Sequence, residues 1–217
     1  MLSADHPKKL FLLDAYALIY RAYFAFSKNP RISSTGQNTS AAFGFTNVLI
    51  DILKNEKPTH IAVVFDPPGG STIRQEDFAE YKAHREAMPE DIRSMIEPIK
   101  NLIRSFNIEV IEVAGYEADD VIGTLCKIAE KKGFTTYMMT PDKDYAQLVS
   151  SNSFMYKPGR GGTPAQILGL AEVKEKFSVD DPLQVIDILG LWGDASDNIP
   201  GIPGIGEKTS KLLVAKY

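Results

Sequence analysis

The sequence predicts an α/β protein in which helices flank a mostly parallel sheet, followed by a small helical module. Three short apolar runs are typical of strands buried on both faces of such a sheet. These runs cover residues 9–15, 60–66 and 134–140. Helical patterns separate the runs, as α/β connections require. Near residue 180 the pattern changes to a helix, a Gly/Pro-rich hairpin and another helix. We therefore expect two domains, at residues 1–179 and 180–217.

The helical patterns can be placed from their apolar spacing and their end signals. They cover residues 16–27, 39–56, 89–106 and 117–132, with shorter helices at 144–149 and 172–177. A further strand is expected at residues 108–113. Loops are predicted at residues 67–88, where DPPGGS interrupts any regular pattern, and at Gly159–Gly162.

Composition limits the class of protein. The 217 residues are 44% hydrophobic and 24% charged, as in ordinary globular proteins. No segment approaches the roughly 18 unbroken apolar residues of a membrane span. The single cysteine, Cys126, excludes a disulfide framework and favours a reducing compartment. We expect Cys126 to be a small core residue.

Carboxylates occur at the ends of three predicted strands. Asp14 and Asp66 end their apolar runs, and Asp142 follows two residues after the third. Ligand sites of open parallel sheets lie at the carboxyl ends of the strands. Since like charges gathered there repel one another, the pattern indicates a bound cation.

Further acids extend this pattern to nine residues. They lie at the start of a predicted helix, just after Asp142 and in a Gly193–Asn198 loop. The complete set is Asp14, Asp66, Glu117, Asp119, Asp120, Asp142, Asp144, Asp194 and Asp197. Oxygen ligands without nearby His or Cys favour Mg²⁺ or Mn²⁺. Nine carboxylates exceed the needs of one such ion, so we expect two ions that act on a phosphoryl group.

Each acid also has a purely structural explanation. Asp119 and Asp120 would stabilise a helix dipole, and Asp142 would cap a helix. Asp194 and Asp197 would hydrogen-bond within a turn. These explanations do not account for acids at the ends of three buried strands.

The net charge of −4 neither supports nor excludes a nucleic-acid partner. Without the nine acids, 19 acidic residues face 24 lysines and arginines. The nine acids were chosen from the motifs, so the positive net charge of the other residues is no independent evidence for DNA.

A glycine-rich hairpin at residues 199–213 predicts a backbone-phosphate contact. Its glycines permit a tight turn, and the following helix presents free N–H groups to an anion. Hairpin carbonyls could also hold K⁺. The expected DNA contacts are Gly201, Gly204, Gly206, Lys208 and Lys211. The alternative is a plain turn between two helices.

A second candidate DNA surface interleaves aromatic and basic residues, as single-strand binders do. It includes Arg74, Tyr81, Lys82 and Arg85, and Arg21 invites a similar interpretation. Residues 72–104 hold six basic and seven acidic residues, so a solvated helical face remains the alternative.

With these residues in place, the chain resembles the 5′–3′ exonuclease domain of bacterial DNA polymerase I, a relative of the flap endonucleases. The resemblance covers about residues 10–213. It rests on LFLLDAYALIYRAYFAF, STGQNTSAAFGFTNVL, VVFD, IRQEDFAEYKAHR, GYEADDVIGTL, PDKDYAQLV and GDASDNIPGIPGIGEKTSKLL.

The resemblance implies a PIN-like fold with a helix–three-turn–helix module. It implies a first metal site formed by Asp14, Asp66, Glu117, Asp119 and Asp120, which we call the first acid set. It implies a second metal site formed by Asp142, Asp144, Asp194 and Asp197, which we call the second acid set. Lys82 and Arg85 match the family's basic pair over the site, and Arg74 and Arg21 match phosphate contacts.

The activity implied is two-metal hydrolysis of DNA and RNA-primer phosphodiesters at 5′ flaps and nicks. The resemblance further implies covalently joined polymerase domains and a cytoplasmic, nucleoid-associated bacterial protein. DPPGGSTIR departs from the family's usual segment after Asp66, and the family's domain continues beyond Tyr217, which implies an incomplete helical module. The rival interpretations are a PIN-type ribonuclease and a non-catalytic DNA-binding module.

Overall fold

The computed structural model describes residues 8–69, 72–159 and 163–217. Its centre is a six-stranded sheet in the order β3-β2-β1-β4-β5-β6. The strands are β1 Lys9–Asp14, β2 His60–Phe65, β3 Glu109–Glu112, β4 Thr135–Met139, β5 Ser153–Lys157 and β6 Gln166–Leu168. The first five are parallel, and β6 pairs antiparallel with β5. The prediction of a mostly parallel sheet flanked by helices is confirmed.

The helices connect these strands and continue into the C-terminal part of the chain. They are α1 Ala15–Ala25, α2 Ser40–Asp51, α3 Thr72–Asp77, α4 Glu90–Arg93, α5 Ile96–Ser105, α6 Ala118–Lys131, α7 Leu170–Phe177, α8 Gln184–Trp192 and α9 Glu207–Lys216. A π-helical segment, Ile52–Glu56, extends α2, and a 3₁₀ helix covers Lys143–Leu148. No described helix is long and apolar enough to cross a membrane.

The sheet has an apolar core on each face because side chains alternate along a strand. Phe11 and Leu13 of β1 face the cluster packed by α1, α2 and α5. Leu12 faces the opposite cluster, to which α6 and α8 contribute. Cys126 belongs to this second cluster and is buried, as predicted. With both faces covered, the carboxyl ends of the strands are the free edge at which a site can form.

Two predictions about local structure were wrong, and two strands were missed. The predicted loop at residues 67–88 contains α3, and strands β5 and β6 were not predicted. The single helix expected at residues 89–106 is two helices, α4 and α5. Pro98 explains the break, because it lacks an N–H and its ring would clash with the Ser94 carbonyl in a continuous helix. Residues 70 and 71 of DPPGGS and residues 160–162 of the second predicted loop lie outside the described ranges.

The helical module contains a two-stranded pair that the sequence did not predict. Its strands, β7 Gly193–Asp194 and β8 Ile199–Pro200, are antiparallel and lie between α8 and α9. Gly193 adopts a positive φ of 81°, and a Cβ on Gly201 would lie 2.1 Å from the Trp192 carbonyl oxygen. Both glycines are therefore needed for the chain to fold back here. The division at residue 180 stays a prediction.

Candidate metal and nucleic-acid site

Asp14 ends β1 and lies at the carboxyl edge of the sheet, where it is 9% exposed. One carboxylate oxygen caps α1 by accepting from the Ala17 N–H at 3.2 Å. The other accepts from Thr140 Oγ1 at 3.1 Å and from the Tyr145 hydroxyl at 3.3 Å. Burial and repulsion from Asp66 nevertheless raise the pKa of Asp14 to about 7.

Asp66 and the start of α6 are joined directly. Asp66 Oδ1 accepts from the Ala118 N–H at 2.7 Å, which ties the end of β2 to the first turn of α6. Within that turn, Asp120 Oδ2 accepts from the Glu117 N–H at 3.1 Å. Asp120 thus has the local role at the start of the helix that the structural explanation gives it. That role leaves open what balances the charge of these acids.

Three side chains from residues 72–85 meet the carboxylates of α6. Arg74 donates to Glu117 Oε2 at 2.7 Å and to Asp120 Oδ1 at 2.8 Å. Lys82 donates to Glu117 Oε2 at 2.6 Å, and the Tyr81 hydroxyl donates to the same oxygen at 3.0 Å. Burial would raise the pKa of Glu117, but Lys82 and Arg74 hold it below its ordinary value. Glu117 is thus a stabilised carboxylate.

At Asp119, the effects that raise the pKa exceed those that lower it. Arg74 is its cationic partner, at 3.3 Å from Oδ1. Burial, opposed by Arg74, combines with repulsion from Asp120 to raise the pKa of Asp119 to about 6. One guanidinium therefore does not offset the charge of three adjacent carboxylates.

The second acid set begins at the 3₁₀ helix. Asp142 caps it by accepting from the Asp144 N–H at 3.0 Å. Asp144 Oδ1 is buried and has no hydrogen-bond partner among the residues that the structure describes. Burial and repulsion from Asp142 and Asp194 raise the pKa of Asp144 to about 7. Such an oxygen suits a cation that the surrounding side chains do not supply.

The loop at residues 193–198 brings the remaining acids to the same edge. Asp194 accepts from the Ser196 N–H at 2.8 Å and lies 3.0 Å from Lys143 Nζ. Asp197 Oδ1 accepts from Arg85 Nη2 at 2.7 Å. Burial would raise the pKa of Asp194, but its bonds with Ser196 and Lys143 lower it.

The loop also fixes the backbone of the basic segment. Lys82 has a positive φ of 56°, and its N–H donates to the Asp197 carbonyl at 2.9 Å. The Asn198 side-chain amide donates to the Glu80 carbonyl at 2.8 Å. A non-glycine residue in the left-handed region needs such support, because the conformation is disfavoured for side chains with a Cβ. The geometry places the Lys82 ammonium among the acids.

A cleft of about 1060 Å³ opens onto these groups. Asp14, Asp66 and Asp142 lie along it beside Lys82 and Arg85. Its wall also holds the aromatic side chains Tyr16, Tyr20 and Phe24, which the sequence reasoning had not assigned. Their helical spacing after Asp14 was a signal that could have indicated them.

The donor set fits divalent metal. All nine predicted ligands are carboxylates, and the orphaned Asp144 oxygen and the raised pKa values of Asp14 and Asp119 show a deficit of positive charge. Within the described ranges, no three acidic, histidine or cysteine side chains already converge in a metal-binding arrangement. Arg74 and Lys82 occupy positions between the acids, so a metal would have to displace their contacts.

Of the predicted DNA contacts, Arg74 and Tyr81 meet the acids directly, whereas Arg21 and the hairpin residues have other partners. Arg21 donates to the carbonyls of Pro158 and Gly159, at 2.7 and 3.0 Å. In the hairpin, Gly204 has a φ of 85° and Gly206 precedes the first turn of α9. Lys208 is exposed, whereas Lys211 pairs with Glu207 at 2.7 Å. Sequence reasoning missed Lys143, although its place between Asp142 and Asp144 marked it.

Comparison with known proteins agrees with this geometry. Residues 9–178 match the N-terminal resolvase-like domain of 5′–3′ exonucleases, and residues 180–217 match the C-terminal SAM fold of the same enzymes. Among solved structures, the T5 D15 protein co-crystallised with metal ions has a TM-score of 0.78 at 22% identity. That likeness covers 96% of this chain and 75% of the T5 protein and establishes the fold.

Proteins matched by sequence have a higher identity to this chain. DNA polymerase I of Bacillus subtilis is 42% identical over 97% of this chain, and the chain spans 23% of that polymerase's length. The 5′–3′ exonuclease of Aquifex aeolicus is 38% identical over 97% of this chain and 70% of its own length. The chain thus spans about a quarter of the DNA polymerase I relatives that it matches and most of the free-standing exonuclease. It belongs to the 5′–3′ exonuclease family.

Proposed function

We propose that this chain is a structure-specific 5′–3′ exonuclease and flap endonuclease. Its substrates are phosphodiester bonds near the 5′ ends of DNA and of RNA primers. The observation that carries the proposal is the shared cleft, in which Lys82 and Arg85 face the strand-end acids Asp14, Asp66 and Asp142. A cleft lined by both cations and carboxylates suits a phosphate held between a bound metal and basic side chains.

The proposed cofactors are two Mg²⁺ or Mn²⁺ ions, one held by each acid set. When bound, they supply the charge that activates water and neutralises the phosphate oxygens. The orphaned oxygen of Asp144 and the all-oxygen donor set support this assignment. The metal ions named for the T5 D15 protein, which shares this fold, support it further.

We assign the side chains of the basic segment to the phosphate. Lys82 is held at the acids by its backbone bond to Asp197, so its ammonium is positioned before substrate arrives. Such a group can neutralise charge that develops in the transition state without reorganising. Arg85 and Arg74 hold neighbouring phosphates. Tyr16, Tyr20 and Phe24 provide ring faces on which the frayed 5′ nucleotides stack.

The hairpin is proposed to bind the duplex. Gly204 and Gly206 permit close approach of the backbone to a phosphate, Lys208 adds positive charge, and hairpin carbonyls hold K⁺. The T5 D15 flap endonuclease has been solved in complex with DNA, which supports DNA as the partner. The match to DNA polymerase I supports a chain that is joined to polymerase domains in the full-length protein.

The test is a product ladder from a 5′-labelled flap duplex with Mg²⁺ and with EDTA. We expect cleavage near the flap junction only with metal. Asp142→Asn should abolish most of it, and Asp180→Asn, at an exposed acid, should leave it unchanged. Duplex binding without any cutting would instead identify a non-catalytic module. Faster cleavage of unstructured RNA than of the flap would identify a ribonuclease.

A further inference from the structure

Three lysines from three different elements meet beside the helical module. Lys157 ends β5, Lys176 lies in the last turn of α7, and Lys211 lies in α9. Two of them lie over the ring of Phe177, with Lys176 Nζ 5.3 Å and Lys211 Nζ 5.6 Å from its centroid. Lys211 Nζ also donates to the Lys176 carbonyl at 2.8 Å. We name Lys157, Lys176 and Lys211 the lysine cluster.

The charge of the lysine cluster is poorly balanced. Lys157 and Lys211 are close enough to Lys176 for their positive charges to disfavour its ammonium form. Glu207 pairs with Lys211 at 2.7 Å. In the part of the chain that the structure describes, neither Lys157 nor Lys176 forms an ion pair with a carboxylate. Burial and the neighbouring lysines lower the pKa of Lys176.

An anion with several oxygens would remove this repulsion. Ammonium groups carry three donors each and no acceptor, so two of them in contact need an acceptor placed between them. A phosphate group provides oxygens for donors that arrive from different directions, and lysine binds it as a point charge. The partly exposed cluster leaves such a group accessible from solvent.

The position of the cluster identifies the source of the phosphate. β5 is the neighbour of β4 in the sheet, so Lys157 lies at the same carboxyl edge as Asp142. Lys211 lies in the helix that follows the hairpin glycines. The cluster therefore draws one lysine from the carboxyl edge that carries the acids and one from the helix after the hairpin, the two regions that the proposed function joins with one DNA molecule.

We propose that the lysine cluster binds a backbone phosphate of the DNA strand that runs from the hairpin to the acid sets. The proposal rests on the proposed function and adds Lys157 and Lys176 to it. Arg21 acts as a positioning residue, because it holds the carbonyls of Pro158 and Gly159 directly after Lys157.

The test compares Lys157→Gln with Lys176→Gln, together, against Lys174→Gln in the same helix α7. Affinity for a labelled flap duplex is measured at several salt concentrations in Ca²⁺, which blocks cutting. Loss of one phosphate contact should flatten the log–log salt dependence by about 0.9. We expect this change in the double variant and no change in Lys174→Gln. An unchanged slope in the double variant, or an equal change in the control, overturns the proposal.

Two further measurements separate the possible failures. Wild-type protein that neither binds nor cuts the flap duplex would overturn the proposed function itself. Inorganic pyrophosphate, added without metal, should raise the wild-type Tm and leave the Tm of the double variant unchanged. A pyrophosphate effect that depends on both lysines, combined with an unchanged DNA salt slope, would mark a site for free anions and overturn the assignment to DNA. Because the double variant relieves repulsion, its Tm without ligand should equal or exceed that of wild type.

Discussion

Glu117 of the first acid set and Asp144 of the second differ in how the protein balances their charge. In the first set, Glu117 accepts hydrogen bonds from Arg74, Tyr81 and Lys82, and its pKa is lowered despite burial. In the second set, Asp144 keeps a buried oxygen without a partner, and its pKa is raised to about 7. The charged form of the carboxyl group is therefore stabilised at Glu117 and destabilised at Asp144.

The difference follows from where the cations originate. Those of the first set lie in residues 72–85, a segment remote from α6 in sequence and tied to the loop at residues 193–198. The second set has Lys143 at Asp194 and Arg85 at Asp197, and neither reaches the free oxygen of Asp144. Without metal, the ionised carboxylate is stabilised at Glu117 and destabilised at Asp144.

The largest effect on cleavage is expected when Lys82, one of the two cations at the first acid set, is removed. Lys82→Ala should reduce flap cleavage about a hundred- to thousandfold, since loss of one transition-state donor costs about 2.7–4 kcal/mol. Single-turnover rates and duplex affinity in Ca²⁺ would be measured for this variant and for the exposed-lysine control Lys54→Ala. Equal losses of affinity and rate would show that Lys82 is only a general phosphate contact.

Glu117→Gln should destabilise the metal-free protein. The change leaves Lys82 and Arg74 without their shared carboxylate, at a cost of about 1–3 kcal/mol. The lowered pKa of Glu117 means that this stabilisation is present above its ordinary pKa and is lost as the pH falls through the lowered value. Urea unfolding in EDTA at pH 8 and pH 4 measures both expectations. A variant as stable as wild type at pH 8 would contradict the balance described for the first set.

Arg74→Gln should increase the response of the protein to metal. The guanidinium bridges Glu117, Asp119 and Asp120, so a divalent ion competes with it for the same oxygens. The variant should have a lower Tm in EDTA and a larger rise in Tm with Mn²⁺. A tenfold tighter Kd corresponds to about 1.4 kcal/mol. A smaller rise than in wild type would show that Arg74 holds the acids in place for the metal.

Asp144→Asn should have the smallest effect and the opposite sign to Glu117→Gln. With its pKa raised, Asp144 favours the folded state when protonated, and that contribution is lost as the pH rises from about 4 to about 7. The variant should therefore gain stability relative to wild type over this range, in EDTA, by on the order of 1 kcal/mol after solvent screening. The same substitution should reduce the Tm rise caused by Mg²⁺. No gain at pH 8 would remove the contrast between the two sets.

The parts of the fold that the sequence predicted were those with a local cause. Strands β1, β2 and β4 are continuous apolar runs because both faces of the sheet are covered, and α6 carries its own capping acids. Strand β5 was missed because its short mixed sequence becomes a strand only through pairing with β4. The division of α4 from α5 could have been predicted, since Pro98 marks it in the sequence.

The candidate site shows the same limit. The acids were found because strand ends and helix starts mark them, and their assignment as metal ligands stays a prediction. The resemblance assigned Arg74 and Lys82 to the site, but their contacts with Glu117 were not predicted, because these residues meet across more than thirty residues of chain. The hydrogen bonds of Thr140 and Tyr145 to Asp14 are equally non-local. Such pairings depend on how the sheet orders its strands, which periodicity does not reveal.

The bond between Asp66 and the Ala118 N–H joins two points of the chain 52 residues apart. The segment between them, which includes α3, α4, α5 and β3, therefore starts and ends at one hydrogen-bonded junction. The positions of Asp66 and of the Glu117 backbone are set by that junction and by the sheet, whereas the Glu117 side chain is held by Arg74, Tyr81 and Lys82 of the intervening segment. We expect an exchange of residues 72–88 between relatives to change which cations meet the carboxylates and to preserve the backbone positions of Asp66 and Glu117. The acids and the cations that balance them therefore belong to separable parts of the chain.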